Sequence, residues 1–177
     1  MKVLNLYYSA TGNTDRVAEQ IERAVREAGH EVESIKATKD IDLDILAYDF
    51  AFIGSGVYFW LPGKPLMEII GRLRERYANA GEIKPASPRR PGKKAVVYCT
   101  YGGGHTGVNE AVPAVKYMGQ LFDHLGYELL AEWYIVGAFH GKLAHLSTAG
   151  RLGEILRRPN EADLQEIFQK AVGILKV

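Results

Sequence analysis

One cysteine, Cys99, among 177 residues rules out an internal disulfide and leaves a thiolate-bound zinc or iron–sulfur centre without ligands. Long apolar runs are missing too: none approaches the roughly 20 residues that span a bilayer, and no charged stretch followed by an apolar one marks a secretory signal. Charge of one sign is equally scarce. With 22 Lys and Arg against 21 Asp and Glu, the net charge is +1, so no field draws the chain toward nucleic acid or a membrane surface. These absences point to a cytoplasmic protein of ordinary globular balance, 47% hydrophobic and 24% charged, whose length suits one domain over residues 1–177.

What the chain has is an alternation of apolar runs with segments of helical period. Residues 2 to 8 read as a buried strand, and Thr14 to Ala28 as a helix with Val17, Ile21 and Val25 on one face, closed by Gly29. A second strand begins near His30 and runs through Val32 and Ile35, followed by a turn-rich KDIDLD segment at 39–44. A third strand covers Asp49 to Gly54, a helix Pro65 to Tyr77, and a fourth strand Lys94 to Thr100. A long helix over about Val108 to Leu125, a fifth strand from Tyr127 to Val136 and a helix from Glu161 to Lys176, capped by Asn160, complete the pattern. Strands that are near-continuous apolar runs imply a parallel sheet covered on both faces, hence an α/β doubly wound architecture. Ligands of such sheets sit beyond the carboxyl ends of the strands.

Three segments at those ends carry unusual chemistry. Ser9-Ala10-Thr11-Gly12-Asn13-Thr14 sets three hydroxyls, a glycine and an amide between a strand and a helix N-terminus, where unsatisfied N–H groups and the helix dipole favour a dianion. The same TGNT also reads as a simple helix cap. After the third strand, residues 55 to 64 bring Val57, Tyr58, Phe59 and Trp60 among glycines and prolines, which suits a loop better than a core strand. After the fourth strand come Thr100, Tyr101, Gly102, Gly103, Gly104 and His105, glycines that let backbone N–H groups approach a ligand. Gly102, Gly104 and Gly107 also match a dinucleotide fingerprint, but it stands after the fourth strand rather than at the first turn.

SATGNT resembles the phosphate loop of the flavodoxins, and GSGVYFWLPGKP and TYGGGHTG resemble their two isoalloxazine loops. RRPNEADLQEIFQKAV is similar to the Arg-Pro-Asn-acidic approach to the last helix in flavodoxin-like quinone reductases, so the likeness runs through essentially the whole chain. The resemblance implies a flavodoxin-like five-stranded sheet of order 2-1-3-4-5 with FMN at the junction of strands one and three. It assigns Ser9, Thr11 and Thr14 as hydroxyl donors to the FMN phosphate, with Ala10, Gly12 and Asn13 supplying backbone. Tyr58, then Trp60, would lie at the ring; Val57, Phe59, Thr100, Tyr101 and Gly102 to His105 complete the cofactor set. No metal ligands and no acid–base catalytic residues are expected, since the cofactor carries the chemistry.

Three functions are compatible with this reading. One is an electron-transferring FMN protein working between a reduced donor and a redox protein or small-molecule acceptor. Another is an NAD(P)H-dependent FMN oxidoreductase of quinone-reductase type, and the third is a regulatory or binding module of the same fold without FMN. A second copy of the chain is also open as a partner. Trp60 stands where related loops often carry glycine, which removes the easy peptide flip that in flavodoxins stabilises one-electron-reduced flavin. The near-zero net charge, unlike the acidity of carrier flavodoxins, supplies no steering field.

Other features have plain readings. Cys99, amid Val96, Val97 and Tyr98, is a buried structural thiol, and His140 and His145 have poor metal spacing. Residues 81 to 94 form a Pro-rich basic connector, whose Arg89, Arg90, Lys93 and Lys94 could also meet an acidic partner or an NADPH phosphate. The stretch from Gly137 to Pro159 exceeds the usual strand-to-helix connection, with Phe139 and His140 as candidates to wall a site.

Overall fold

The computed structural model describes residues 1–38 and 41–176. Five long strands, β1 (Lys2–Tyr8), β2 (Glu31–Lys36), β3 (Phe50–Tyr58), β5 (Lys94–Tyr101) and β6 (Glu128–Val136), form a parallel sheet of order β2-β1-β3-β5-β6. A two-residue strand, β4 (Leu61–Pro62), turns back antiparallel onto the end of β3. Counting the five long strands alone, this is the expected 2-1-3-4-5 order.

Strand residues alternate between two cores. Val3, Phe50, Phe52, Val96, Trp133 and Ile135 face α1 (Asn13–Glu27) and α5 (Glu161–Ile174), which contribute Val17, Ile21, Leu164, Ile167 and Phe168. Leu4, Leu6, Ala51, Ile53 and Val97 face α2 (Lys64–Asn79) and α3 (Val112–His124), which contribute Leu66, Ile69, Leu73, Val115, Met118 and Phe122. A sheet buried on both sides needs such apolar runs, and the helices need only one apolar stripe each.

Local signals set the ends of several elements. Gly29, at φ 77°, follows the α1 cap and lets His30 N–H reach back to Val25 O at 3.1 Å, a Schellman closure. Asn160 accepts from Asp163 N–H at 3.0 Å while the Asp163 carboxylate accepts from Asn160 N–H at 2.8 Å, a complete capping box. Asp44 caps the single turn Ile45–Ala47; of the turn-rich 39–44 segment, Lys39 and Asp40 lie outside the described residues.

Two boundaries differ from the sequence reading by four residues, the others by two at most. The third strand does not stop at Gly54 but continues to Tyr58, so the loop expected over 55 to 64 contracts to the two-residue tip Phe59-Trp60 before β4. Gly54 and Gly56 would be poor strand residues alone. They are needed because the Tyr98 ring crosses Gly54 and the Tyr58 phenol crosses Gly56. The long helix expected from Val108 begins instead as a 3₁₀ turn, Gly107–Glu110, and α3 starts at Val112 with Pro113 in its first turn.

Cys99 is fully buried in the core between β5, α2 and α3, where burial pushes its thiol well above the usual range. Among the described residues no helix is long and apolar enough to cross a membrane, and no group of His, Cys, Asp and Glu is placed to hold a metal ion.

Candidate functional site

The carboxyl ends of β1, β3 and β5 release three segments at one edge of the sheet, and contacts between the segments tie them together. The first, residues 9–14, turns through Gly12 in the left-handed region at φ 96°, a conformation that suits glycine. Ser9 Oγ accepts from Gly12 N–H at 3.2 Å, which closes the turn from inside. Helix α1 then starts at Asn13 with no side-chain cap, so its first-turn N–H groups lack a side-chain acceptor. The exposed Thr11 hydroxyl has no hydrogen bond within the protein. An oxyanion placed there would meet backbone donors, a free hydroxyl and the positive end of a 15-residue helix.

Thr14 plays a different part from the outward donor expected of it. Its hydroxyl is buried and lies 2.8 Å from that of Thr100, the residue next to last in β5. The pair braces the first segment against the third. Asn13 also does more than lend its backbone. Its amide donates to Ala138 O at 2.8 Å, its oxygen lies 3.3 Å from His140 Nε2, and a side chain on Gly137 would strike it at 2.7 Å.

The second segment is the β3–β4 hairpin. Val57 pairs with Pro62 and Tyr58 with Leu61, while Ser55 Oγ accepts from Gly63 N–H at 2.9 Å and holds the hairpin closed. At the tip, Phe59 (φ 48°) and Trp60 (φ 68°) both occupy the left-handed region, and 89% and 60% of their surfaces are exposed. Two-residue hairpins favour this geometry, but it costs bulky residues about 1–2 kcal/mol each. Tyr58 leaves the tip and turns inward. Its hydroxyl accepts from Ala10 N–H at 3.1 Å, its ring meets Tyr8 edge-on at 5.7 Å, and burial raises its pKa. The phenol oxygen thus occupies an acceptor position over the first segment.

The third segment, Thr100 to Gly107, is held flat from above. The Phe139 ring covers Gly102 so closely that a Cβ there would come within 2.3 Å of it, and it continues over Gly104. Glu110 Oε1 accepts from both His105 N–H and Thr106 N–H at 2.6 Å, orienting two donors of this segment; the His105 side chain itself is exposed. Tyr101 is half-buried, with its pKa raised by desolvation.

The connection from β6 to α5, with its short helix α4 (Leu146–Ala149), roofs this edge. Fully buried Ser147 accepts from Phe139 N–H at 2.8 Å, and Arg151 N–H donates to Gly104 O at 2.9 Å. The basic 81–94 connector, by contrast, lies at the opposite end of the sheet. Arg89 donates to Tyr127 O and Arg90 to Leu125 O at 2.8 Å, fastening the turn after α3, while Lys93 donates to Tyr48 O at 2.8 Å in the turn before β3; Arg89, Arg90 and Lys93 line a hollow of about 290 Å³.

Known proteins similar to this chain include flavodoxins. A flavodoxin of Megasphaera elsdenii is 29% identical over 99 residues, which are 56% of this chain and 64% of that protein, so the match spans under two thirds of the relative's length. The structure of a Streptococcus pneumoniae TIGR4 flavodoxin superposes with a TM-score of 0.67 at 19% identity, covering 100% of both chains. This chain has the flavodoxin-like fold. A WrbA-like flavodoxin of Agrobacterium tumefaciens superposes on the same flavodoxin-like frame with a TM-score of 0.62 at 13% identity, over 99% of this chain and 95% of that one. No protein-family model matches the chain.

Within this flavodoxin-like fold the three sequence-predicted segments do meet at one edge. Tyr58 bridges the second to the first and Thr100 the third to the first, whereas Phe59, Trp60 and His105 stand out in solvent. Sequence reasoning missed Ser55, Glu110 and Ser147. Only Glu110 left a trace, as an acid four residues after a loop threonine and next to a helix start.

Proposed function

We propose that residues 1–177 form one cytoplasmic FMN-binding domain that passes electrons between a reduced donor and a protein or small-molecule acceptor. The observation that carries this reading is the Tyr58 hydroxyl seated on Ala10 N–H. It ties the aromatic hairpin that would hold a ring directly to the segment that would hold a phosphate. The fit extends to the donor set: an uncapped helix N-terminus, the Thr11 hydroxyl, Ser9 and the Gly12 turn suit a dianion without a lysine.

FMN, when bound, supplies reversible uptake of electrons singly or as hydride. The chain's own residues do the rest. Residues 9–14 would anchor the phosphate, Thr14 and Thr100 would fix the spacing between the first and third segments, and Phe139 with Tyr101 would exclude water from the ring's surroundings. N–H groups of residues 102–104 would meet the pyrimidine edge, where negative charge grows on reduction, while Glu110 holds those of His105 and Thr106.

Titrating the purified chain with FMN, followed by stepwise reduction in the spectrophotometer, tests the proposal. Quenched FMN fluorescence, a raised melting temperature and reversible bleaching are the expected results. A chain that leaves added FMN fluorescent and melts unchanged is instead a binding module on the same fold. Tyr58→Phe adds a specific expectation. With its hydroxyl gone, Ala10 N–H is open to the cofactor, so FMN affinity should hold or rise by a few-fold; a tenfold loss measured by fluorescence titration would show that the hydroxyl contacts FMN itself.

A second reading, an NAD(P)H-dependent FMN oxidoreductase of quinone-reductase type, is favoured by the hairpin tip. Phe59 and Trp60 hold positive φ without glycine, so a further peptide flip there is costly and two-electron chemistry is the easier course. Rapid bleaching by NADPH with quinone turnover would establish it over the carrier.

A further inference from the structure

The segment between β6 and α5 is pinned at some residues and bare at others. Ser147, Arg151 N–H and Ala138 N–H hold it to Phe139, Gly104 and Arg158 respectively. Along the same segment Lys142, Leu143, Arg151, Leu156 and Arg157 are exposed, Leu143 by 52% and Leu156 by 53%. Among the described residues, none of Lys142, Arg151 and Arg157 takes part in an ion pair, whereas the flanking Arg158 and Arg16 are neutralised by Asp163 and Glu161. Three unpaired cations thus face a single acid, Glu154, within 17 residues of a chain whose net charge is +1. The patch sits on the glycine segment: the Arg151 side chain lies within 4.0 Å of where a Cβ on Gly107 would stand.

Unpaired cations interleaved with exposed leucines call for a partner that is anionic and partly apolar. Dinucleotide phosphates are normally taken in concave sites that bury most of the ligand. Cations and leucines that stand exposed on a surface segment instead match the rim of a protein interface, where complementary charge steers encounter and fixes register. The exposed Phe59-Trp60 tip, also at the carboxyl edge of the sheet, offers aromatic area of the kind enriched at interface centres.

We propose that residues 141–157 are the docking face for an acidic electron-transfer protein, held over the glycine segment. The redox role of that partner rests on the function proposed above; the docking itself does not. Carrier flavodoxins present acid to basic partners, and here the polarity is reversed.

The test uses a plant-type ferredoxin as the acidic probe and cytochrome c as the basic control, each titrated by calorimetry into the chain with and without FMN. Ferredoxin should bind at low ionic strength and weaken by about tenfold or more at physiological salt, with cytochrome c the poorer ligand. The combined Lys142→Glu, Arg151→Glu and Arg157→Glu variant should lose ferredoxin binding by a similar factor while keeping its melting temperature. Arg74→Glu with Lys84→Glu, exposed cations elsewhere, should leave it unchanged. Ferredoxin binding that ignores salt and the triple variant, or that is absent, overturns the proposal. So does a triple variant that loses NADPH binding alone, which would give the face to a dinucleotide. A chain that takes up no FMN overturns the redox function, and the FMN-free titration still judges the docking.

Discussion

Replacing Gly54 by alanine should destabilise the protein by about 4 kcal/mol, combining overpacking with the loss of a buried hydrogen bond. A Cβ there would lie 2.1, 2.2 and 2.5 Å from three atoms of the Tyr98 ring. That ring has nowhere to go, because it is fully buried and its hydroxyl donates to Asn5 Oδ1 at 2.9 Å, on the far side of Gly54 in β1. Asn5 is itself buried and donates to Ala18 O at 3.0 Å, so a displaced tyrosine leaves an amide oxygen without a partner. For a chain of this length the loss corresponds to about a 10 °C fall in melting temperature. Chemical denaturation checks it, with Gly71→Ala as the control. Gly71 is exposed in α2 with nothing within 4 Å of its added Cβ, and that change should stabilise by about 0.5–1 kcal/mol. A Gly54→Ala protein within 1 kcal/mol of the parent (about one ordinary substitution effect) would contradict the packing described.

Thr11→Val should weaken FMN binding by about 1–3 kcal/mol, roughly a 5- to 150-fold rise in Kd, without altering the stability of the FMN-free chain. The two threonines of the first segment separate these effects. Thr11 is exposed and its hydroxyl makes no bond within the protein, so it has donor capacity to give. Thr14 has committed its hydroxyl to Thr100, so Thr14→Val should cost stability and affinity together. Fluorescence titration alongside denaturation of the FMN-free chain reads both quantities. Unchanged FMN affinity in both variants would remove the phosphate from residues 9–14.

What could be read from the sequence was whatever depends on neighbours in the chain. The alternation of Val3, Leu4, Phe50, Ala51 and their kin between two faces, the Gly29 closure and the Asn160 cap are short-range patterns, and they point to a doubly wound parallel sheet, whereas its strand order came only from the resemblance to flavodoxins. The length of β3 was not legible. Gly54 looks like a strand end and Gly56 like a loop residue until Tyr98, 44 positions after Gly54, and the inward-turned Tyr58 are known to cross them. The three site segments were visible as segments because their composition is odd for strand ends. The direction of each side chain was not, since Tyr58 answers to Ala10 and Thr14 to Thr100 across β-strand neighbours. The segment after β6 announced itself only by length; the serine that pins it has no sequence signature.

Asn13 touches both the first segment and the roof through Ala138 and His140, and this sharing has a thermodynamic consequence. A ligand that orders residues 9–14 orders the amide of Asn13, and with it the start of the segment on which a partner would dock. Whatever factor the ligand adds to partner affinity, the partner must add to ligand affinity. A partner whose affinity the cofactor raises would therefore raise cofactor affinity by the same factor, with one asparagine carrying the linkage.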